Sequence, residues 1–167
     1  YSSAASDVYK RQGINYTMKN SYTNEQAVLY SLNPVIGEIS FSAQNSITIE
    51  GQNDVSHNVA LYGWCNFYGG EKDDVITQYG WSQHIYGQGG NDKITINGNG
   101  IAHGGAGDDE IILNSGAAYG DDGDDTITIN ASTNSAINGG LGNDTYNINA
   151  KVTNLSDTGG DNIYNVN

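Results

Sequence analysis

Five aspartates recur at nearly constant spacing: Asp74, Asp92, Asp109, Asp125 and Asp144, at successive steps of 18, 17, 16 and 19 residues. Each is the sixth residue of a glycine-rich stretch: GGEKDDVI (69–76), GQGGNDKI (87–94), GGAGDDEI (104–111), GDDGDDTI (120–127) and GGLGNDTY (139–146). Aspartate supplies hard anionic oxygens, and glycine lets backbone carbonyls turn inward at dihedral angles other residues resist. Hard oxygen donors at flexible spacing suit calcium better than zinc or magnesium. If the repeats stack, aspartates of neighbouring turns face one another. At about 5 Å and an effective dielectric near 20, each such pair repels by roughly 3 kcal/mol. A divalent cation between the two turns that repulsion into a bridge. Five aspartate turns enclose four gaps, so about four calcium ions are expected.

Composition agrees with this chemistry. The formal net charge is −13, from 19 acidic and 6 basic residues. That balance argues against nucleic acid and anionic membrane surfaces as partners and favours bound cations. Twenty-three glycines against one proline suit many tight turns joined by short strands rather than helices. No apolar run approaches the roughly 20 residues that span a membrane. Cys65 is alone and forms no internal disulfide. His57, His84 and His103 occur singly, without metal-ligand spacing such as HExxH, and read as surface residues. No GxSxG nucleophile motif occurs. The carboxylates that a glycosidase would need sit in turns that need them for cations. No catalytic residue is assigned, and the chain is not read as an enzyme.

The elements that hold the aspartates follow from the residues on either side. After each aspartate the pattern alternates as a strand does: Ile94 and Ile96 flank Thr95, Ile127 and Ile129 flank Thr128, Tyr146 and Ile148 flank Asn147. Before the glycines, Phe67, Ile85, Ala102, Ala118 and Ile137 are expected to point inward. Their successors Tyr68, Tyr86, His103, Tyr119 and Asn138 then form an outward column. Two short strands and two turns make one coil, and stacked coils bury a thin apolar stripe. Asn97, Asn114, Asn130, Asn149 and Asn167 fall just after the strand, where stacked amides can close the second turn.

In register, these segments resemble the GGxGxDxUx nonapeptide of the repeats-in-toxin, or hemolysin-type, calcium-binding family. Gly104–Ile111 and Gly139–Tyr146 match every fixed position; Gln88 and Asp121 replace the second glycine of their repeats, and Lys72 the fourth-position glycine of the first. The resemblance covers roughly residues 69–164. It implies an all-β fold, a right-handed parallel β-roll or β-solenoid of about 18-residue coils. It further implies calcium held by Asp74, Asp92, Asp109, Asp125 and Asp144 with carbonyls of Gly87, Gly90, Gly104, Gly105, Gly107, Gly120, Gly123, Gly139, Gly140 and Gly142. Family nonapeptides usually follow directly on one another and load both edges. Here a different half-coil follows each motif, so one calcium-binding edge is expected. Type I secretion, an extracellular location and folding on meeting calcium are further family implications. The competing reading is a metal-free solenoid whose glycine–aspartate turns are scaffold.

Residues 1–12 (YSSAASDVYKRQ) share no pattern with the rest. They resemble a translated adapter string found at the ends of reading frames assembled from metagenomes, and are expected to be disordered. Residues 13–45 are expected to supply leading strands or a cap, and residues 46–167 the roll. Asn167 falls in mid-register, so the roll is expected to continue into a larger parent protein. The aromatics crowd the first half, and the YGW of 62–64 returns at 79–81. Trp64, Trp81 and Tyr86 are therefore candidates for stacking on an extracellular polysaccharide, since an aromatic face offers an apolar platform with polar rims. The alternative is that these aromatics cover the irregular first coils.

Overall fold

A computed structural model of the protein describes residues 8–11, 14–17, 27–30, 36–40, 47–62 and 64–167. Among these residues there are strands and no helix. Strands β1 (Val8–Arg11) and β2 (Ile14–Thr17) pair antiparallel with each other. The other strands build two parallel sheets of eight. The odd-numbered sheet runs β3 (Ala27–Tyr30), β5 (Ile47–Glu50), β7 (Cys65–Gly70), β9 (Trp81–Gly89), β11 (Asn99–Ala106), β13 (Ala117–Asp122), β15 (Ile137–Leu141) and β17 (Leu155–Ser156). The even-numbered sheet runs β4 (Ile36–Ser40), β6 (Asn58–Tyr62), β8 (Val75–Gln78), β10 (Lys93–Ile96), β12 (Glu110–Leu113), β14 (Thr126–Ile129), β16 (Thr145–Ile148) and β18 (Ile163–Val166). Strands alternate between the sheets in chain order, which makes the fold a parallel β-solenoid with coils of about 18 residues. β3 and β4 already belong to the sheets, so the coils begin ahead of residue 46. Residues 1–7, 12 and 13, 18–26, 31–35, 41–46 and 63 lie outside the described residues, and with them most of the adapter-like segment.

The inward columns are those that alternation requires. Ile76, Ile94, Ile111, Ile127 and Tyr146 stack in register and are buried. Opposite them stack Phe67, Ile85, Ala102, Ala118 and Ile137, also buried. Every coil buries one short stripe, so no coil is stable alone and each depends on its neighbours.

Side-chain ladders tie the turns together. At the turn from even to odd strands, Asn114 Nδ2 donates to Asn97 Oδ1 at 2.7 Å, Asn130 to Asn114 at 3.1 Å, Asn149 to Asn130 at 2.9 Å and Asn167 to Asn149 at 2.6 Å. This is the expected asparagine column. The glycine–aspartate turns lead from odd to even strands at the other edge. There the second motif position takes left-handed backbone even without glycine: Gln88 has φ 81° and Asp121 φ 79°, beside Gly105 at 118° and Gly140 at 119°. A side chain in that region costs roughly 1–2 kcal/mol. We expect Gln88→Gly, at an exposed position, to stabilise the fold by about 0.5–1 kcal/mol once glycine's greater chain entropy is offset. The urea midpoint of the variant against the parent measures it.

Candidate functional site

The five motif aspartates form one continuous column with 2% or less of their surface exposed. Each uses one carboxylate oxygen in the same way. The backbone N–H of Asp74 donates to Asp92 Oδ1 at 2.8 Å, Asp92 to Asp109 at 2.7 Å, Asp109 to Asp125 at 2.8 Å and Asp125 to Asp144 at 2.8 Å. The column is capped by other residue types. His57, expected at the surface, is instead buried, and its N donates to Asp74 Oδ1 at 2.6 Å; Asp144 N donates to Asn162 Oδ1 at 2.7 Å.

A second ladder runs beside it with the opposite sense. At the fifth motif position, Asn91 N donates to Asp73 Oδ1, Asp108 N to Asn91 Oδ1, Asp124 N to Asp108 Oδ1, Asn143 N to Asp124 Oδ1 and Asp161 N to Asn143 Oδ1, at 2.7–3.1 Å. Sixth-position amides thus bond forward along the axis and fifth-position amides bond back. The sequence carries the signal, since position five is Asp or Asn in every repeat, but it reads more simply as variable solvated polarity.

The remaining aspartate oxygen is the unusual one. Oδ2 of Asp74, Asp92, Asp109, Asp125 and Asp144 is buried with no hydrogen-bond partner. Each lies over the first glycine of its own repeat: a Cβ at Gly69, Gly87, Gly104, Gly120 or Gly139 would collide with it. In the first four of these repeats the same Cβ would also strike the carbonyl oxygen of the first glycine in the next coil, from Gly87 through Gly104 and Gly120 to Gly139. Electron-rich oxygens therefore converge around a small cradle with no donor between them. Burial is the main cause that pushes the carboxyls of Asp92 and Asp109 up to about 7 and that of Asp125 to about 8. The backbone hydrogen bond to each lowers it, and neighbouring aspartates raise it further. Asp74 and Asp144 shift in the same direction, again chiefly by burial.

The end of the column displays what satisfies this position without an ion. Asn162 keeps the Oδ1 acceptor role, but its Nδ2 donates to Asp157 Oδ2 and to the Gly159 carbonyl at 3.1 Å. An amide supplies the donor that the five carboxylates lack. A proton or a cation would do the same for them. The oxygens fit a hard cation in kind, as carboxylate with carbonyl. Among the described residues no three His, Cys, Asp or Glu side chains converge. An ion between successive coils would meet the aspartates of both, and carbonyls would supply the rest.

Of the expected glycine ligands, Gly87, Gly104, Gly120 and Gly139 border the cradle. Gly90, Gly107, Gly123 and Gly142 form a further column with positive φ, where the backbones of successive coils nearly touch. Gly105 and Gly140 occupy the left-handed second position.

The ladder rings and the two tryptophans differ in what they expose. Tyr68, Tyr86, His103 and Tyr119 stack ring on ring with centroids 4.6–4.8 Å apart and planes within 13°. Both faces of Tyr86 are covered, by Tyr68 and His103, so it offers a ligand an edge and not a face. Trp64 and Trp81 are 47% and 66% exposed.

Comparison with known proteins finds no matching family model, no matching curated protein and no matching solved structure. Among the described residues no helix is long and apolar enough to cross a membrane.

Proposed function

We propose that the chain is a calcium-binding repeat module of a secreted protein, non-catalytic, which folds when it meets extracellular calcium. The observation that carries this reading is the column of five buried aspartate oxygens without a donor. A buried acceptor left unsatisfied costs about 1–3 kcal/mol, and more if charged. Five together are comparable with the whole net stability of a domain, about 5–15 kcal/mol. The thin apolar stripe has little to offset that cost. Asp74, Asp92, Asp109, Asp125 and Asp144 would hold the ions with the first-position glycine carbonyls, about four ions in four gaps. Bound calcium supplies the positive charge that this turn lacks. The protein's own part is to hold each Oδ1 on a backbone amide, so that Oδ2 stays turned to the cradle. Calcium is scarce in the cytosol and plentiful outside, which suits a chain exported unfolded by type I secretion and folded on arrival.

Far-ultraviolet circular dichroism during a calcium titration tests this, with magnesium as control. We expect a cooperative gain of β signal at around 0.1–1 mM calcium and none with magnesium. A full β spectrum at neutral pH that a chelator leaves unchanged would overturn the proposal and make the turns scaffold.

A further inference from the structure

The outer face of the odd-numbered sheet carries two side-chain columns. One is the stacked ring ladder, and the other holds His84, Ile101 and Ala117 in register. Side chains shrink along this second column, and beyond Ile101 the surface falls into a trough of about 500 Å³. Gly116 and Ala117 contribute small residues to it, and His84, Asn99, Tyr119 and Ser135 contribute polar groups. Tyr119 is the last ring of its ladder, since its partner in the next coil is Asn138. Trp81, the first residue of β9, pairs in register with Asn99, which lines the trough, and its side chain is exposed. The trough lies at the start of the odd-numbered strands, whereas the aspartate turns leave from their ends.

We propose that this trough, with the Trp81 indole as its platform, binds a neutral saccharide. The volume lies in the range of small-molecule sites, about 300–1,000 Å³. Amide, hydroxyl, phenol and imidazole groups together offer donors and acceptors for a polyhydroxylated ring. An aromatic face accommodates the apolar C–H side of such a ring, and Trp81 supplies that face where the ladder rings cover one another. Among the described residues no carboxylate, lysine or arginine lines the trough, and a net charge of −13 disfavours anionic sugars. The site is separate from the aspartate column, so either proposal can fail alone.

Titration of the full chain in saturating calcium with neutral cello-, xylo-, manno- and chito-oligosaccharides tests it, read by tryptophan fluorescence and calorimetry, with oligogalacturonate as the anionic control. We expect millimolar or tighter binding of at least one neutral series. Trp81→Ala, and Ser135→Phe to fill the trough from its rim, should each weaken it by about tenfold or more, with circular dichroism unchanged. The proposal is overturned if no neutral series binds by about 10 mM, if only the anionic control binds, or if binding survives both variants.

Discussion

Asp109→Asn is expected to change sign with calcium: without the ion the variant holds more β structure than the parent, and with the ion it is the less stable of the two. The amide oxygen can still accept from the Asp92 backbone, a bond of 2.7 Å in the parent. The new Nδ2 stands where the carboxylate presents an unpartnered acceptor, close to the Gly120 carbonyl above Gly104. At the end of the column the Asn162 amide already donates, to the Gly159 carbonyl of its own turn. Replacing a buried acceptor without a donor by an amide that has one should gain on the order of 1–3 kcal/mol in a chelator. In calcium the same change removes a charge from both gaps that Asp109 borders, two of the proposed four. Circular dichroism in chelator and urea unfolding in calcium give the two signs. Loss of stability in both would mean that the carboxylate itself is needed without metal, as a protonated donor. Gain in both would mean that no ion binds there.

Much of this architecture was legible because a solenoid repeats one local decision. The aspartate step, the inward isoleucines and the asparagine column recur at a fixed interval, and each repetition strengthens the others. What was not legible has a common physical origin in the direction of side chains along the axis. The fifth-position Asp and Asn residues bond back while the sixth-position aspartates bond forward, and spacing is blind to that sense. It is equally blind to which carboxylate oxygen is spent on an amide and which is left over. A column of Tyr68, Tyr86, His103 and Tyr119 reads as an aromatic surface, yet a coil rise close to ring-stacking distance makes the rings cover one another. Leading strands were expected in residues 13–45, but that they are already coils of the solenoid was not legible, for another reason. β3 and β4 have no glycine–aspartate turn to announce them, and four- and five-residue strands carry little periodicity of their own. Gln88 and Asp121 hide the left-handed second position, because stacking on Gly105 and Gly140 imposes a conformation that their own types disfavour.

The same buried oxygens set an expected pH dependence that also reverses with calcium. In a chelator, β content and stability should rise as the pH falls from about 8 towards 5. Burial holds the folded-state carboxyls of Asp92 and Asp109 near 7 and of Asp125 near 8, while an unfolded aspartate ionises near 3.9. Between those values the folded chain binds more protons than the unfolded one, so stability falls as pH rises. The protonated contribution is complete below about 4, drains away through the interval and is absent above about 8. A proton on Oδ2 gives the cradle a donor, the service that the Asn162 amide performs at the end of the column. In calcium the dependence runs the other way, because ion and proton compete for the same oxygens. The calcium concentration needed for folding should climb steeply as the pH drops below about 7. β content in chelator and urea midpoints in calcium, taken from pH 4 to 9, should therefore slope in opposite directions. A β content that rises with pH in chelator would mean that the aspartates are ionised and paired in the fold, which is incompatible with a donorless Oδ2 and removes the reason to place an ion beside it.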